Sequence, residues 1–433
     1  MMKFALALIG SVILAGQAFA AGYLTPSAGA QTGSWGNLSP YTGLVATRCL
    51  APTSLNTTNK QLMSRSPHYA RTAITSLQIV IPNWYVLPSG AHGETGSGAD
   101  ASVKASIEYP ANTFTQILFS AAATGTVPNG GQLISDTTTV SIPDGALFWV
   151  RIFWDGGVGG VLSIAHDLSG TGLPGAGLEL AVSGLTDKTM SGTVTAADNE
   201  FSPVAIIGTT TRPSVVIVGD SIALGDPTKE STGDASGDFG IVARSIGPQY
   251  AYAQYAQNGD QAEDIVASHT NREALFAYAS HLVSEYGSND LFTNSASAAT
   301  VLGLQQTIWG WMSARGGQAY QTTITPRTTS TDSWATTGNQ AQVSSANNTR
   351  RIDLNTQIRA VPAGLSGYFD VADAIETTRN SGVWKVTGSA NGYTADGVHP
   401  NTEGSVLVRE SHNVDLASPR VSAGRLSPAA GRQ

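Results

Sequence analysis

Cysteine is nearly absent from this chain. Cys49 is the only one in 433 residues, so no intrachain disulfide can form. A chain this long can bury a full core without covalent staples. Charge is also sparse: 12% of residues are charged and the net charge is −8. No cluster of Lys or Arg occurs, which argues against nucleic acid or an anionic membrane surface as a partner. No stretch is long and apolar enough to span a bilayer comfortably. No His/Cys set has zinc spacing. Asp226, Glu230, Asp234 and Asp238 do not match a dedicated calcium loop and read as a solvated acidic loop. No metal and no cofactor is expected.

Glycine is abundant, at 48 residues, and Ser, Thr and Ala are frequent. That composition suits a β- and loop-rich exported protein. The first 20 residues read as a secretory signal. Lys3 supplies the positive start, residues 4–15 the apolar stretch, and Ala18-Phe19-Ala20 a small-x-small cleavage site. The expected destination is secreted or periplasmic, with no integral membrane segment after cleavage. Cys49 lies far from that site and reads as a buried or loop thiol. The length exceeds what one core usually serves, which predicts two domains. Residues 21 to about 75 are polar and turn-rich. Beyond them come short strands: 103–109 alternates apolar and polar residues, and 146–154 is β-rich. Turns at Pro128, Pro143 and Gly159 punctuate the region. Residues 21–210 are therefore expected to form a β-rich, sandwich or jelly-roll-like domain.

The pattern changes near Thr211. Val215 to Val218 is a continuous apolar run, as expected of a parallel strand covered on both faces. Helix-like segments at 271–279, 301–311 and 352–360 alternate with strand-like ones at 281–286, 319–325 and 368–371. A Ser/Thr-rich loop is expected over 327–349. This alternation predicts a three-layer α/β domain over 211–415, followed by a flexible C-terminal tail at 416–433.

Gly219-Asp220-Ser221 follows the apolar run directly. Open α/β sheets bind ligands at the carboxyl ends of their strands, so the turn would present a serine hydroxyl there. A serine is a poor nucleophile until an imidazole takes its proton and a carboxylate orients that imidazole. Asp396-Gly397-Val398-His399 supplies both groups. Asn258-Gly259-Asp260 precedes a helix-like stretch, and Gly287-Ser288-Asn289-Asp290 follows a strand-like one.

These four blocks, in this order between Val215 and Asn401, resemble the SGNH hydrolase superfamily, also called GDSL esterases and lipases. The resemblance covers slightly under half of the chain. It implies an SGNH-type, flavodoxin-like parallel-sheet domain. It implies Ser221 as nucleophile, His399 as general base and then acid, and Asp396 as the group that orients His399. It implies an oxyanion hole made by the backbone N–H groups of Ser221 and Gly259 and the side-chain amide of Asn289. Asp220 and Asp290 read as turn carboxylates. His281, the nearest rival base, reads as a strand residue. The helix that usually closes such a domain is expected to be short here, giving way to polar residues, Pro419 and Pro428.

The reading is an exported serine esterase acting on a small-molecule or polysaccharide ester, with carbohydrate O-acetyl esters as one substrate class. The alternatives are a lipase or lysophospholipase, and a glycan-binding or surface protein with a weakly active hydrolase domain. Trp309 and Trp311 fall on a helix face and read as packing. Trp334 and Trp384 lie near the expected site, where an indole packs into a core more often than it stacks on a sugar.

Overall fold

The structure is a computed structural model that describes residues 38–87, 93–165, 175–197, 199–226 and 229–421. The expected signal segment, His92, His166 and residues from 422 onward lie outside the described residues.

Six parallel strands form the sheet that carries the serine turn. They are β1 (Cys49–Leu50), β2 (Ser214–Val218), β3 (Ala251–Gln254), β4 (His281–Ser284), β5 (Gln318–Thr322) and β6 (Gly367–Phe369). Their order is β1-β3-β2-β4-β5-β6, and every pairing is parallel. The order reverses between β2 and β4, so the loops leaving these strands diverge and open a crevice there.

The apolar run of β2 explains the burial on both faces. Side chains alternate along a strand. Val216 and Val218 join the core that contains Ile308 and Trp309 of the helix Ala298–Ser313. Val215 and Ile217 join a second core with Ile246, Val371, Ile375 and Val408. Cys49 is buried in the first core, and burial pushes its thiol up to about 12.

Apart from β1, the strands before residue 211 pair antiparallel. One sheet runs Gly125–Val127, Ala101–Glu108, Leu147–Asp155, Gln61–Tyr69, Gly177–Ala181. Another centres on Ile74–Pro82, flanked by Ala205–Thr210, Gln132–Ile134 and Thr138–Ile142. The first core cluster runs from these sheets to β2 without a break. The described residues accordingly group as one compact unit.

Two expectations need correction. The turn-rich stretch before residue 75 contains the nine-residue strand Gln61–Tyr69. Its polar side chains hid it, because Ser64, Arg65, Ser66 and His68 are buried but paired. Ser64 donates to the Phe201 carbonyl at 2.8 Å, and Arg65 grips Glu108 at 2.7 and 2.9 Å. The acidic loop after the serine turn is not solvated throughout either. Glu230 and Asp238 are buried, Glu230 against Arg244 and Asp238 against the Tyr252 hydroxyl at 2.5 Å.

Candidate active site

Ser221 opens the short helix Ser221–Leu224 at the carboxyl end of β2. Asp220 caps it: its Oδ1 accepts from the Ile222 N–H at 2.9 Å. Gly219 allows the turn to run against Glu285, because a Cβ there would press on the Glu285 side chain and on Ala223. Glu285 leaves β4, and its Oε2 accepts from the Asp220 N–H at 3.2 Å. The carboxyl groups of Asp220 and Glu285 are buried neighbours at this turn. Burial pushes both upward, and for Glu285 the Asp220 charge adds to it.

The Asp396–His399 segment reaches the same place from the far end of the chain. Ser221 Oγ and His399 Nε2 are 2.7 Å apart, and His399 Nδ1 and Asp396 Oδ2 are 2.8 Å apart. Asp396 Oδ1 accepts from the Val398 and His399 N–H groups at 2.9 Å each. The carboxylate thus binds both the backbone and the ring of the residue it orients. Burial works to raise the Asp396 pKa. The hydrogen bonds from the His399 ring and backbone outweigh it and hold the carboxyl well below the usual carboxylate range. With Nδ1–H donated to Asp396, Nε2 is the acceptor facing Ser221. Lys229 Nζ lies 3.7 Å from Asp396 Oδ2.

Gly397 makes this close turn possible. Its φ is 73°, and a Cβ would collide with the Thr328 carbonyl oxygen and the Trp334 ring. Asn401 then caps the nine-residue helix Thr402–Glu410 by accepting from the Gly404 N–H at 2.9 Å. The closing helix is short, as expected, and it is capped two residues after His399.

Asn289 lies in the helix Ser288–Phe292 that follows β4. Its Nδ2 donates to the Asp260 carbonyl at 3.1 Å and to Asp220 Oδ2 at 3.2 Å. It therefore ties the loop of Gly259 to the turn of Ser221. No hydrogen bond engages the N–H of Ser221 or of Gly259 among the described residues. Asp290 accepts from the Ala262 and Glu263 N–H groups at 3.2 and 3.4 Å, and burial pushes it up to about 7. Asp220 and Asp290 both bind turn backbone. His281 is buried in β4, stacked on Tyr320 with ring centroids 5.9 Å apart. Burial lowers it to about 4.

Arg327 is the residue that sequence reasoning missed. Its Nη2 donates to Asn289 Oδ1 at 2.6 Å and its Nε to Ser288 Oγ at 3.2 Å. The guanidinium also lies over the Phe292 ring, 5.3 Å from its centroid. Burial works to lower its pKa, opposed by the charges of Asp220, Glu285 and Asp396. Arginine can only donate, so it fixes the oxygen end of the Asn289 amide and turns the NH₂ end toward Asp220 and Asp260. A single arginine at the head of a Ser/Thr-rich stretch gives no local signal of that task.

The two tryptophans separate. Trp384 is buried, and its indole N–H is shared by the carbonyls of Pro326 and Gly397 at 3.2 and 3.1 Å, so it packs. Trp334 is half-buried on the loop between the paired strands Thr328–Ser330 and Gln340–Gln342. Its indole donates to Thr328 Oγ1 at 2.9 Å. Trp334 and Ser333 both hold left-handed backbone, with φ of 58° and 56°. Trp309 is buried in its helix, while Trp311 stacks on His269 at 4.4 Å. No group of three or more His, Cys, Asp or Glu able to hold a metal occurs among the described residues.

Neither a protein-family model nor a curated protein matches the chain. Solved structures do. A GDSL-like lipase from Bacteroides thetaiotaomicron is 17% identical, over 46% of this chain and 84% of that one, with a TM-score of 0.33. An alpha/beta hydrolase enzyme from the metagenome of Lake Arreo, Spain, is 16% identical, over 46% and 93%, with a TM-score of 0.32. Axe2, an acetylxylan esterase from Geobacillus stearothermophilus, is 14% identical, over 47% and 94%, with a TM-score of 0.32. The chain is thus similar to solved hydrolases of the GDSL, or SGNH, kind that its four sequence blocks resemble.

Proposed function

We propose that this chain is an exported serine ester hydrolase of the SGNH type. The observation that carries the reading is the unbroken hydrogen-bonded line from Ser221 Oγ through the His399 ring to Asp396 at the carboxyl end of β2. In the proposed reaction Ser221 Oγ attacks the ester carbonyl carbon while its proton passes to His399 Nε2. Asp396 balances the imidazolium that forms. The negative charge that develops on the carbonyl oxygen is met by the N–H groups of Ser221 and Gly259 and by the Asn289 amide. The Asn289 N–H that meets Asp220 at 3.2 Å is the one that would turn to that oxygen. His399 then protonates the leaving alcohol. Water, deprotonated by the same nitrogen, attacks the acyl-serine and releases the acid.

Within that reading we take O-acetyl esters of carbohydrate as the substrate class. Trp334 supports it: a half-buried indole, tied at its polar tip, lies against Gly397 in the segment that holds His399. Such a ring offers an apolar face beside the leaving-group alcohol, which is what a sugar ring stacks on. Export is supported by the signal pattern of residues 1–20.

Purified wild type and Ser221→Ala are compared on a short-chain nitrophenyl ester and on an acetylated polysaccharide. Loss of turnover with Ser221→Ala is expected. Equal rates for the two proteins on both substrates would remove the esterase reading.

A further inference from the structure

We infer that the antiparallel N-terminal region is part of the catalytic device, with Glu94 and the backbone carbonyls of Thr53 and Val86 positioning the loop that carries Gly259. The inference rests on the esterase reading above, which makes that loop a wall of the oxyanion hole.

The loop 257–261 is held from the N-terminal side at two points. At its start, Gln257 sends its side-chain amide across the molecule to the Thr53 carbonyl at 3.1 Å and the Val86 carbonyl at 2.5 Å. The oxygen of the same side chain accepts from the Asn258 N–H at 2.7 Å. The residue before Gly259 is therefore hung on a side chain anchored more than 170 residues upstream, at Val86. On the far side of Gly259, Asp260 receives Arg272 Nη1 at 2.8 Å and the Tyr286 hydroxyl at 2.6 Å. Arg272 is fully buried, and its Nε donates to Glu94 at 3.1 Å. Glu94, in the strand Glu94–Gly96, also accepts from the Asn271 N–H at 2.7 Å and the Arg272 N–H at 2.9 Å. One carboxylate of the N-terminal region thus fixes both the helix that bears Arg272 and the guanidinium itself.

The link reaches the reacting atoms in one further step. The Asp260 carbonyl accepts from Asn289 Nδ2, so the peptide that Arg272 steadies is the one that aims the Asn289 amide. Oxyanion donors act only when their placement is fixed before the charge develops, and a shift of about 1 Å in a catalytic group can lower a rate about a hundredfold. A buried guanidinium shared by two carboxylates is also a stiff joint. Removal of one carboxylate leaves Arg272 with a single anionic partner at Asp260, free to draw that side chain and its peptide away from Asn289.

Glu94 and Gln257 touch no reacting atom, so they are positioning residues. The test measures kcat, KM and melting temperature on a nitrophenyl acetate for wild type, Ser221→Ala, Glu94→Gln and Gln257→Met. Glutamine at 94 keeps an acceptor for the helix N–H groups and removes the charge, while methionine at 257 keeps the length and removes the donors. Both variants are expected to lower kcat about tenfold or more, with KM within about twofold of wild type. Wild-type kcat and KM in both variants, with only a lowered melting temperature, would make the contacts purely structural and overturn the inference. Collapse of both proteins would count in the same way, since the region would then serve the fold and not the loop. If Ser221→Ala matches wild type, the esterase reading itself has failed. If Ser221→Ala is dead and the other two are normal, the positioning inference alone has failed.

Discussion

Arg327→Met should disable the site without emptying it. The substitution keeps the length and apolar stem of the side chain and removes its donors. Asn289 Oδ1 then loses the 2.6 Å bond that fixes the amide, and the Ser288 hydroxyl loses its 3.2 Å partner. The amide can rotate, and each half-turn presents its oxygen where the oxyanion should find a donor. Loss of one oxyanion donor typically costs about 10²–10³ in rate, or about 3–4 kcal/mol. A rotating amide keeps part of that function, so a fall in kcat of about 30–300-fold is expected, with KM nearly unchanged. The substitution also removes a cation from beside Asp220, Glu285 and Asp396, which disfavours their charged forms. Arg327→Lys restores a donor but not the two-pronged grip and should recover part of the rate. Steady-state kinetics on a nitrophenyl acetate reads both variants, with near-ultraviolet circular dichroism to confirm native packing. A folded Arg327→Met enzyme with kcat within twofold of wild type would refute the claim that this guanidinium orients Asn289.

Three further outcomes are expected. Asp396→Asn should lower kcat by about 10²–10⁴, because an amide NH₂ facing Nδ1 forces the proton onto Nε2, where it cannot accept from Ser221; stopped-flow and steady-state assays across pH 6–9 would show whether hydroxide recovers any rate. Trp334→Ala should raise KM for an acetylated oligosaccharide at least about fivefold, with Trp334→Phe closer to wild type and both near wild type on nitrophenyl acetate; equal KM values on the oligosaccharide would count against the stacking face. His68 concerns stability: its ring is buried between the Thr47 carbonyl at 2.9 Å and the Ser66 hydroxyl at 2.8 Å, and burial lowers it from 6.5 to about 3. Between those values the unfolded chain binds one proton more than the folded one. Stability supplied by neutral His68 is thus present above about pH 6.5 and falls by about 1.4 kcal/mol per unit as pH drops through that window. Guanidinium unfolding at pH 6.5 and 5 should show His68→Gln losing about 2 kcal/mol less than wild type over that interval.

Much of the parallel sheet, and the line of Ser221, His399 and Asp396 at the carboxyl end of β2, was legible because the determinants are local. Val215 to Val218 is apolar at every position, and a strand covered on both faces has no polar side to show. Asp396 and His399 are three residues apart, close enough for one Asx-type turn to bind both backbone and ring. Ser221 and Asn289 follow strands that the apolar pattern marks, whereas Gly259 follows Ala251–Gln254, which the pattern does not mark, and is singled out by the family resemblance alone. The strand Gln61–Tyr69 was illegible for the opposite reason. Its buried polar residues are satisfied by Phe201, Glu108 and Thr47, which lie 21 to 137 residues away. Period and composition register what a residue is, and not what has come to meet it.

The same distinction separates the groups of the proposed reaction from the groups that hold them. Ser221, Asp396 and His399 announce themselves by type and spacing, since only a few side chains are suited to proton transfer or attack. Arg327 acts on Asn289 from 38 residues away, and Glu94 on Arg272 from 178. Neither sits in a motif, because the task of each is geometric and any chain path that delivers a donor or a carboxylate would serve. A site of this kind therefore has a sharp sequence signature at its centre and none at its supports. The strand β1 makes the point at the level of the fold. Cys49–Leu50 is two residues long, yet it pairs in parallel with β3 and brings the N-terminal chain to the edge of the sheet that carries Ser221. From there Thr53 lies within reach of Gln257, and the loop of Gly259 gains an anchor that the four sequence blocks do not contain.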